Sequence, residues 1–392
     1  MGLPLDGVRI VSLGVSISGP VGLRHLADFG AEVLKVEVPE TGDMVRLWDD
    51  AVFGEGAVHF WVNPNKKSVT LNLKDERGKK ILREMLESAD VFLENFSPGA
   101  IDRLGFGYEE VKKIKPDIIY VHTSGYGQDG PYRDMKAFDG LIQAEAGIME
   151  MTGPPESPAK MAHSICDGVT GLFVALGAMM ALRQRDQTGE GQELDVSMFD
   201  CMVSMQGYFH FHYYLHGNKP SRVGVGHHFL APYGAYPAKG GKLIGVACGN
   251  ENTWRLFAGV LGHPEWVDDP RFATNADRHE NKDALLEQVL PILATKEREE
   301  WRKIFLEAGV PCGAVNDLGE VCDHPQTAHR EIFPEVEGEY GNLKMCRFPV
   351  KFSEMTPRLE HPPGLSAHTE EVLEKLGYSP DAVADLRRDG VI

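Results

Sequence analysis

VRIVSLGVSISGPVGLRHLADFGAEVLKVE, residues 8–37, decides the fold class. Residues 8–13 are a short apolar run bounded by turn residues, 19–29 carry apolar side chains at helical spacing, and 31–37 are strand-like again. Strand, helix and strand in that order form a βαβ unit, which implies a parallel sheet covered on both faces. The pattern continues with an amphipathic helix over 75–88 and strands VFLEN (91–95) and DIIYVHTSG (117–125). An α/β protein with a large Rossmann-like domain on a parallel sheet is predicted.

The same architecture extends through HSICDGVTGLFVALGAMMALRQRDQTGEGQELDVSM, residues 163–198. Val169, Leu172, Phe173, Leu176, Met179, Met180 and Leu182 recur at helical spacing, interleaved with Gly171, Ala175 and Gly177, which would let another backbone approach closely. Arg183, Arg185, Gly189 and Gly191 suit a helix C-terminus, and 192–197 alternate as a strand. Asp167 falls where this helix begins. One reading makes it the N-cap, its carboxylate accepting from amides of the first turn. The other makes it a nucleophile, which the same geometry would keep ionised by lowering its pKa. Position alone does not separate them.

The chain has 392 residues, enough for two cores, with 42% apolar and 25% charged residues as in ordinary soluble proteins. The expected division is a large domain over 1–200, a linker over 201–224, a smaller α+β domain over 225–325, and a segment over 326–392 returning to the large domain. The net charge of −18 argues against nucleic acid or an anionic membrane as partner. No apolar run looks long enough to span a bilayer, and MGLPLDGVRIVSLG lacks the features of a secretory signal, so a cytoplasmic protein is expected. Six scattered cysteines without a CxxC read as reduced thiols, Cys166 included. The aromatic run 198–220 reads as one long helix, and its His210, His212 and His216 lack a third ligand type that would make a metal site. Between Lys66 and Arg83 seven basic residues face only Asp75 and Glu76. That stretch reads either as a solvated helix face or as a local site for a small polyanion.

Glu37 after the second strand suggests a dinucleotide site, but GVSISGP (14–20) is neither G-x-G-x-x-G nor a Walker loop. Neither G-x-S-x-G nor H-E-x-x-H occurs. A series of segments does match a family: PLDGVRIVSL, SGPVGLRHLADFGAEVLKVE, GDMVR, NPNKKSVTLNLK, ADVFLENFSPGAIDRLGFGYE, SGYGQDGPY, the Asp167 segment, TGEGQELDVSMFD and APYGAYPAKGGKLIGVACGNENTW. In this order they resemble the class III CoA-transferases, the formyl-CoA-transferase-like family, over essentially the whole chain.

The resemblance implies a CoA-transferase that moves CoA from an acyl-CoA donor to a small carboxylic acid, with no permanently bound cofactor and no metal. Asp167 stands at the family's nucleophilic aspartate, and Leu71, Lys74, Asn95, Phe96, Arg103 and Lys136 match positions lining its CoA site. Val38 replaces an arginine at the adenine end, and Ile17 replaces a polar residue near the reaction centre. A glycine-rich loop, here 239–241 or Gly249, is implied as a source of oxyanion donors. An interlocked homodimer is implied as well. The family also contains α-methylacyl-CoA racemases, whose acid/base pair needs a His–Asp dipeptide and a Glu. Phe138-Asp139 and Asn250 stand there instead, and neither Phe nor Asn can serve as a base near neutral pH. A transferase is favoured over a racemase, and a CoA-binding protein without catalysis is the remaining alternative.

Overall fold

A computed structural model describes residues 2–392. It divides into two compact units: 2–147, 161–207 and 330–392 form one, 148–160 and 208–329 the other.

The first unit is built on a six-stranded parallel sheet of β1 (Arg9–Ser12), β2 (Glu32–Glu37), β3 (Lys67–Thr70), β4 (Val91–Glu94), β5 (Ile119–Ser124) and β6 (Gln192–Ser197). Their order, β3-β2-β1-β4-β5-β6, is that of a doubly wound dinucleotide-type sheet. Strand β3 was not foreseen. KSVT is only four residues long and half polar, too short to show a period.

Alternation along the strands sends neighbouring residues to opposite layers. Val11, Leu34, Phe92 and Tyr120 pack with Ile81, Leu82 and Met85 of the helix Glu76–Leu86, and with Val372, Leu373, Val383 and Leu386 of the two C-terminal helices. Ile10, Val33, Val91 and Val121 face the helices Ser18–Asp28 and Ile165–Thr188. Each fully buried aliphatic or aromatic side chain contributes roughly 1.5–3 kcal/mol. The chain end is stitched to β3 and its following turn: Thr70 N–H donates to Thr369 Oγ1 at 2.9 Å and Asn72 N–H to the Val391 carbonyl at 2.8 Å.

On helix Ile165–Thr188 most of the apolar stripe does not face the core: Leu172, Phe173, Leu176, Met179 and Met180 are exposed, Leu172 by 56% and Met180 by 62%. The buried face is instead made of small residues, Thr170, Gly171, Val174, Ala178 and Ala181, with Leu182. Gly171 meets Gly22 of the helix Ser18–Asp28 so closely that a Cβ on Gly22 would lie 2.7 Å from the Gly171 carbonyl oxygen. Any larger side chain at either glycine would push the two helices apart. The helix has 24 residues and a window of mean hydropathy 1.9, enough by length and composition alone to cross a bilayer, where no apolar run had looked long enough.

A buried histidine bridges two carboxylates across the sheet. His122 on β5 contacts Glu94 of β4 through Nδ1 at 2.5 Å and Glu193 of β6 through Nε2 at 2.8 Å. Burial works against its charged form, but the two carboxylates outweigh it and raise its pKa above 6.5. A histidine raised in the folded state stabilises fully below its unfolded pKa and loses that contribution as pH climbs through the folded value. We expect the wild type to lose more stability than His122→Gln between pH 6.5 and alkaline pH, read as the difference in denaturant midpoint. Parallel pH dependences would refute the bridge.

The second unit has a three-stranded antiparallel sheet, β7 (Tyr233–Pro237), β8 (Leu243–Ala247) and β9 (Cys312–Ala314), in that order. Helices Glu251–Val260, Lys282–Leu293 and Arg298–Glu307 cover it around Trp254, Phe257, Trp266, Phe272, Trp301 and Phe305. It is a small α+β body. The run expected as one helix over 198–220 is two, Met198–Ser204 in the first unit and Phe209–His216 in the second, broken at Gly207 with φ +60°. A hairpin of β10 (Glu335–Gly338) and β11 (Gly341–Lys344) belongs to the first unit.

Candidate active site

In a doubly wound sheet, ligands settle at the carboxyl ends of the strands where the order reverses, here between β1 and β4. The loop leaving β1 is pinned from both sides. Asn95, just past β4, accepts from Val15 N–H at 2.9 Å and donates to the Val15 carbonyl at 2.7 Å. Ser16 sits in the left-handed region at φ +64°, its N–H held by the Asp43 carboxylate at 3.1 Å. Buried Lys35 ties the same loop down, donating to the Gly14 carbonyl at 2.8 Å and to Asp43 at 2.7 Å. The loop therefore delivers Ser18, first residue of the following helix, to a fixed place.

Asp167 lies against it, with the Ser18 hydroxyl donating to its carboxylate. It is not the cap of its helix. The N-cap is Ser164, which makes no side-chain cap, and Asp167 is the third residue of the first turn. Capping comes from elsewhere: Asp139 Oδ2 accepts from the Cys166 N–H at 2.8 Å and the Asp167 N–H at 3.4 Å. Gln143 donates to Asp139 Oδ1 at 2.6 Å and accepts from the Met161 N–H at 2.9 Å, which fixes the capping carboxylate.

The expected lowering of the Asp167 pKa is overturned. Burial foremost, and then the negative charge of Asp139, push it up to about 7 against the smaller opposing effect of the Ser18 hydroxyl. A helix N-terminus favours negative charge, but Asp139 already occupies those amides. Ser18 was not singled out by the sequence, and Asp139 only as the second residue of the Phe138-Asp139 pair, not as a cap of the helix Ile165–Thr188. Asp139 with Gln143 four residues on was the one local hint, and nothing in the spacing said which helix they would cap.

The six positions matched to the CoA site fare differently. Asn95 and Phe96 follow β4 at the switch point, but both ends of the Asn95 amide are committed to Val15. Phe96 packs partly buried on the core, its N–H bonded to Glu94 at 2.8 Å. The Leu71 side chain is a core residue, 2% exposed, so it offers solvent none of the apolar surface expected of it. Lys74, Arg103 and Lys136 are exposed.

The basic stretch from Lys66 to Arg83 is largely spoken for. Lys66 is buried and donates to the Pro20 carbonyl at 2.6 Å, and Lys67 pairs with Glu32 and Glu371. Arg77 pairs with Asp75 and Asp389, Lys79 with Glu76 and Lys80 with Glu84. The C-terminal segment supplies two of these partners, Glu371 and Asp389, and neighbours along the stretch supply Glu76 and Glu84, so little of the apparent polyanion site remains unpaired.

Phe138 is exposed and precedes the helix Asp139–Glu145. Asn250 caps the helix Glu251–Val260, accepting from Thr253 N–H at 2.9 Å. Neither is placed as a proton carrier. In the second unit's turn, the amides of Lys239 and Gly241 bond to the Lys296 and Ala238 carbonyls, which leaves Gly240, at φ +75°, as the available donor there. Among the described residues no group of three His, Cys, Asp or Glu side chains could hold a metal ion.

Fold and site together define a Rossmann-type α/β protein that keeps a buried, protonation-poised carboxylate at its switch point. The chain belongs to CoA-transferase family III, whose profile matches residues 5–369. It is a CoA-transferase, of a family that acts on CoA thioesters. An acetyl-CoA:oxalate CoA-transferase of Acetobacter aceti is 38% identical, over 89% of each chain. A succinyl-CoA:glutarate CoA-transferase of Mus musculus is 35% identical over 99% of this chain and 90% of its own. A crystal structure of a CaiB/BaiF family protein from Brucella suis superposes with a TM-score of 0.86 at 33% identity, covering 96% of this chain and 100% of that one.

Proposed function

We propose that this protein moves CoA from an acyl-CoA, succinyl-CoA foremost, to a small dicarboxylic acid through a covalent thioester on Asp167. The observation that carries this is a buried carboxylate, oriented by Ser18 and flanked by Asp139, at the end of a pinned loop. An Asp167 oxygen attacks the donor thioester carbonyl, and the C–S bond breaks to give a mixed anhydride and CoA thiolate. The thiolate attacks the aspartyl carbonyl, releasing the donor acid and leaving aspartyl-CoA. The acceptor carboxylate attacks that thioester, expelling thiolate again, and the thiolate takes the acceptor's acyl carbon and frees Asp167. Each step exchanges oxygen for sulfur at one acyl carbon, so neither ATP nor a redox partner is consumed. Burial serves the sequence of steps by excluding water, which would hydrolyse the anhydride. A carboxylate whose pKa is about 7 is also a better nucleophile than an ordinary one, provided it is deprotonated. Lys74, Arg103 and Lys136, with the backbone near Asn95, Phe96 and Leu71, would bind CoA.

The choice of succinyl-CoA and a C4–C6 dicarboxylate is supported by relatives named for succinyl-CoA and glutarate. A second copy of the chain as partner is supported by the exposed stripe on helix Ile165–Thr188, which an interlocked homodimer would cover. A reducing, cytoplasmic setting fits six scattered cysteines without a CxxC.

The test is incubation of succinyl-CoA with a panel of carboxylic acids, following new thioesters, and separately of a 2-methylacyl-CoA in D₂O, following α-deuterium. We expect glutaryl-CoA or a neighbouring dicarboxylyl-CoA to accumulate, with no deuterium entering a 2-methylacyl-CoA. Rapid α-exchange without transfer would make the protein a racemase. CoA binding with neither reaction would make it a non-catalytic binder.

A further inference from the structure

We propose that Arg133 and Arg103 form a phosphate clamp over Gly99 that grips the nucleotide end of the CoA thioester; the inference rests on the CoA-transferase reading above. Arg133 was not among the positions matched to the CoA site. Gly99 has φ +75°, and a Cβ built on it would lie 3.3 Å from Arg103 Nη1 and 3.9 Å from Arg133 Nη2. Two guanidinium groups thus converge within 4 Å of one point, which the glycine leaves open. Two exposed cationic forks set about one open point offer an anion paired donors there.

The protein itself supplies little to neutralise the pair. Arg133 contacts Asp134 through Nε at 3.6 Å, but that carboxylate is 86% exposed and solvated, and the Nη edge toward Gly99 is not engaged by it. No ion pair of Arg103 occurs among the described residues. The loop carrying Arg133 is held in place. Gly127 N–H donates to Ser124 Oγ at 2.9 Å, Gln128 N–H donates to Asp195 at 2.7 Å, and the Tyr126 and Tyr132 rings meet edge to face at 5.6 Å. A phosphate offers several charged oxygens to two planar forks at once, the geometry arginine serves better than lysine. CoA carries a diphosphate and a 3′-phosphate, whereas its pantetheine arm carries neither.

The experiment compares acyl-CoA with the matching acyl-pantetheine in wild type, Arg133→Ala, Arg133→Glu and Arg103→Ala, alongside calorimetric titration with CoA and dephospho-CoA. We expect the preference for acyl-CoA over acyl-pantetheine, as a ratio of kcat/KM, to fall roughly tenfold in Arg133→Ala and further in Arg133→Glu. Arg133→Lys should recover only part of it. Loss confined to CoA would assign the clamp to the 3′-phosphate, and loss shared with dephospho-CoA to the diphosphate. A wild type that binds CoA while both Arg133 variants keep the full preference would overturn the clamp and leave the transferase reading standing. A wild type that neither binds CoA nor prefers it to pantetheine would overturn both.

Discussion

Asp167→Ala loses CoA exchange by roughly 10⁴-fold or more, since removing a covalent nucleophile leaves only binding and oxyanion stabilisation. CoA affinity should change little, because the groups proposed to hold the phosphates are other side chains. Asp167→Asn should be equally inactive, and more stable than wild type above pH 7. A carboxyl held at about 7 rather than 3.8 binds protons more tightly folded than unfolded, so its contribution to stability falls as pH rises from about 4 to 7. Removing the buried charge returns up to about 4 kcal/mol at pH 8. The wild-type rate should accordingly rise with pH through about 7, as Asp167 deprotonates. Mass spectrometry after hydroxylamine quenching should find the modification on the peptide containing Asp167. Wild-type-like exchange by the Ala variant, measured with succinyl-CoA and its acid, would end the assignment.

Leu172→Glu combined with Leu176→Glu is expected to convert the protein to an inactive monomer. Both side chains point away from their own unit's core, so the substitution adds no charge to that core. In a dimer they would be covered, and an unpaired carboxylate in an apolar interface costs several kcal/mol. Light scattering coupled to size exclusion would report the mass, and circular dichroism would check that the monomer stays folded. A wild type that is monomeric and active at assay concentration would sink the dimer, as would a dimeric double variant.

The sheet was legible because its strands repeat a short-range signal. Ile10 and Val11, or Val33 and Leu34, are apolar on both sides, and only a strand buried on both faces requires that. The expected division placed the small body at 225–325; the second unit comprises 148–160 and 208–329. Strand β3 escaped for lack of length.

Local sequence determined that a long helix would start near Asp167 and that its apolar residues would share a face. It did not determine what that face meets. Periodicity reports amphipathicity, and the face of large apolar side chains is exposed, while Gly171 and Val174 make the close contact with Gly22. The charge state of Asp167 was likewise decided by tertiary structure. The groups that set it, Ser18 and Asp139, lie far away along the chain, and a pKa depends on distance in space and on exclusion of water. The same holds for the arginines. Lys67 and Arg77 looked free until the C-terminal segment supplied Glu371 and Asp389, whereas Arg103 and Arg133, thirty residues apart, converge only once the loop after β5 is folded over Gly99.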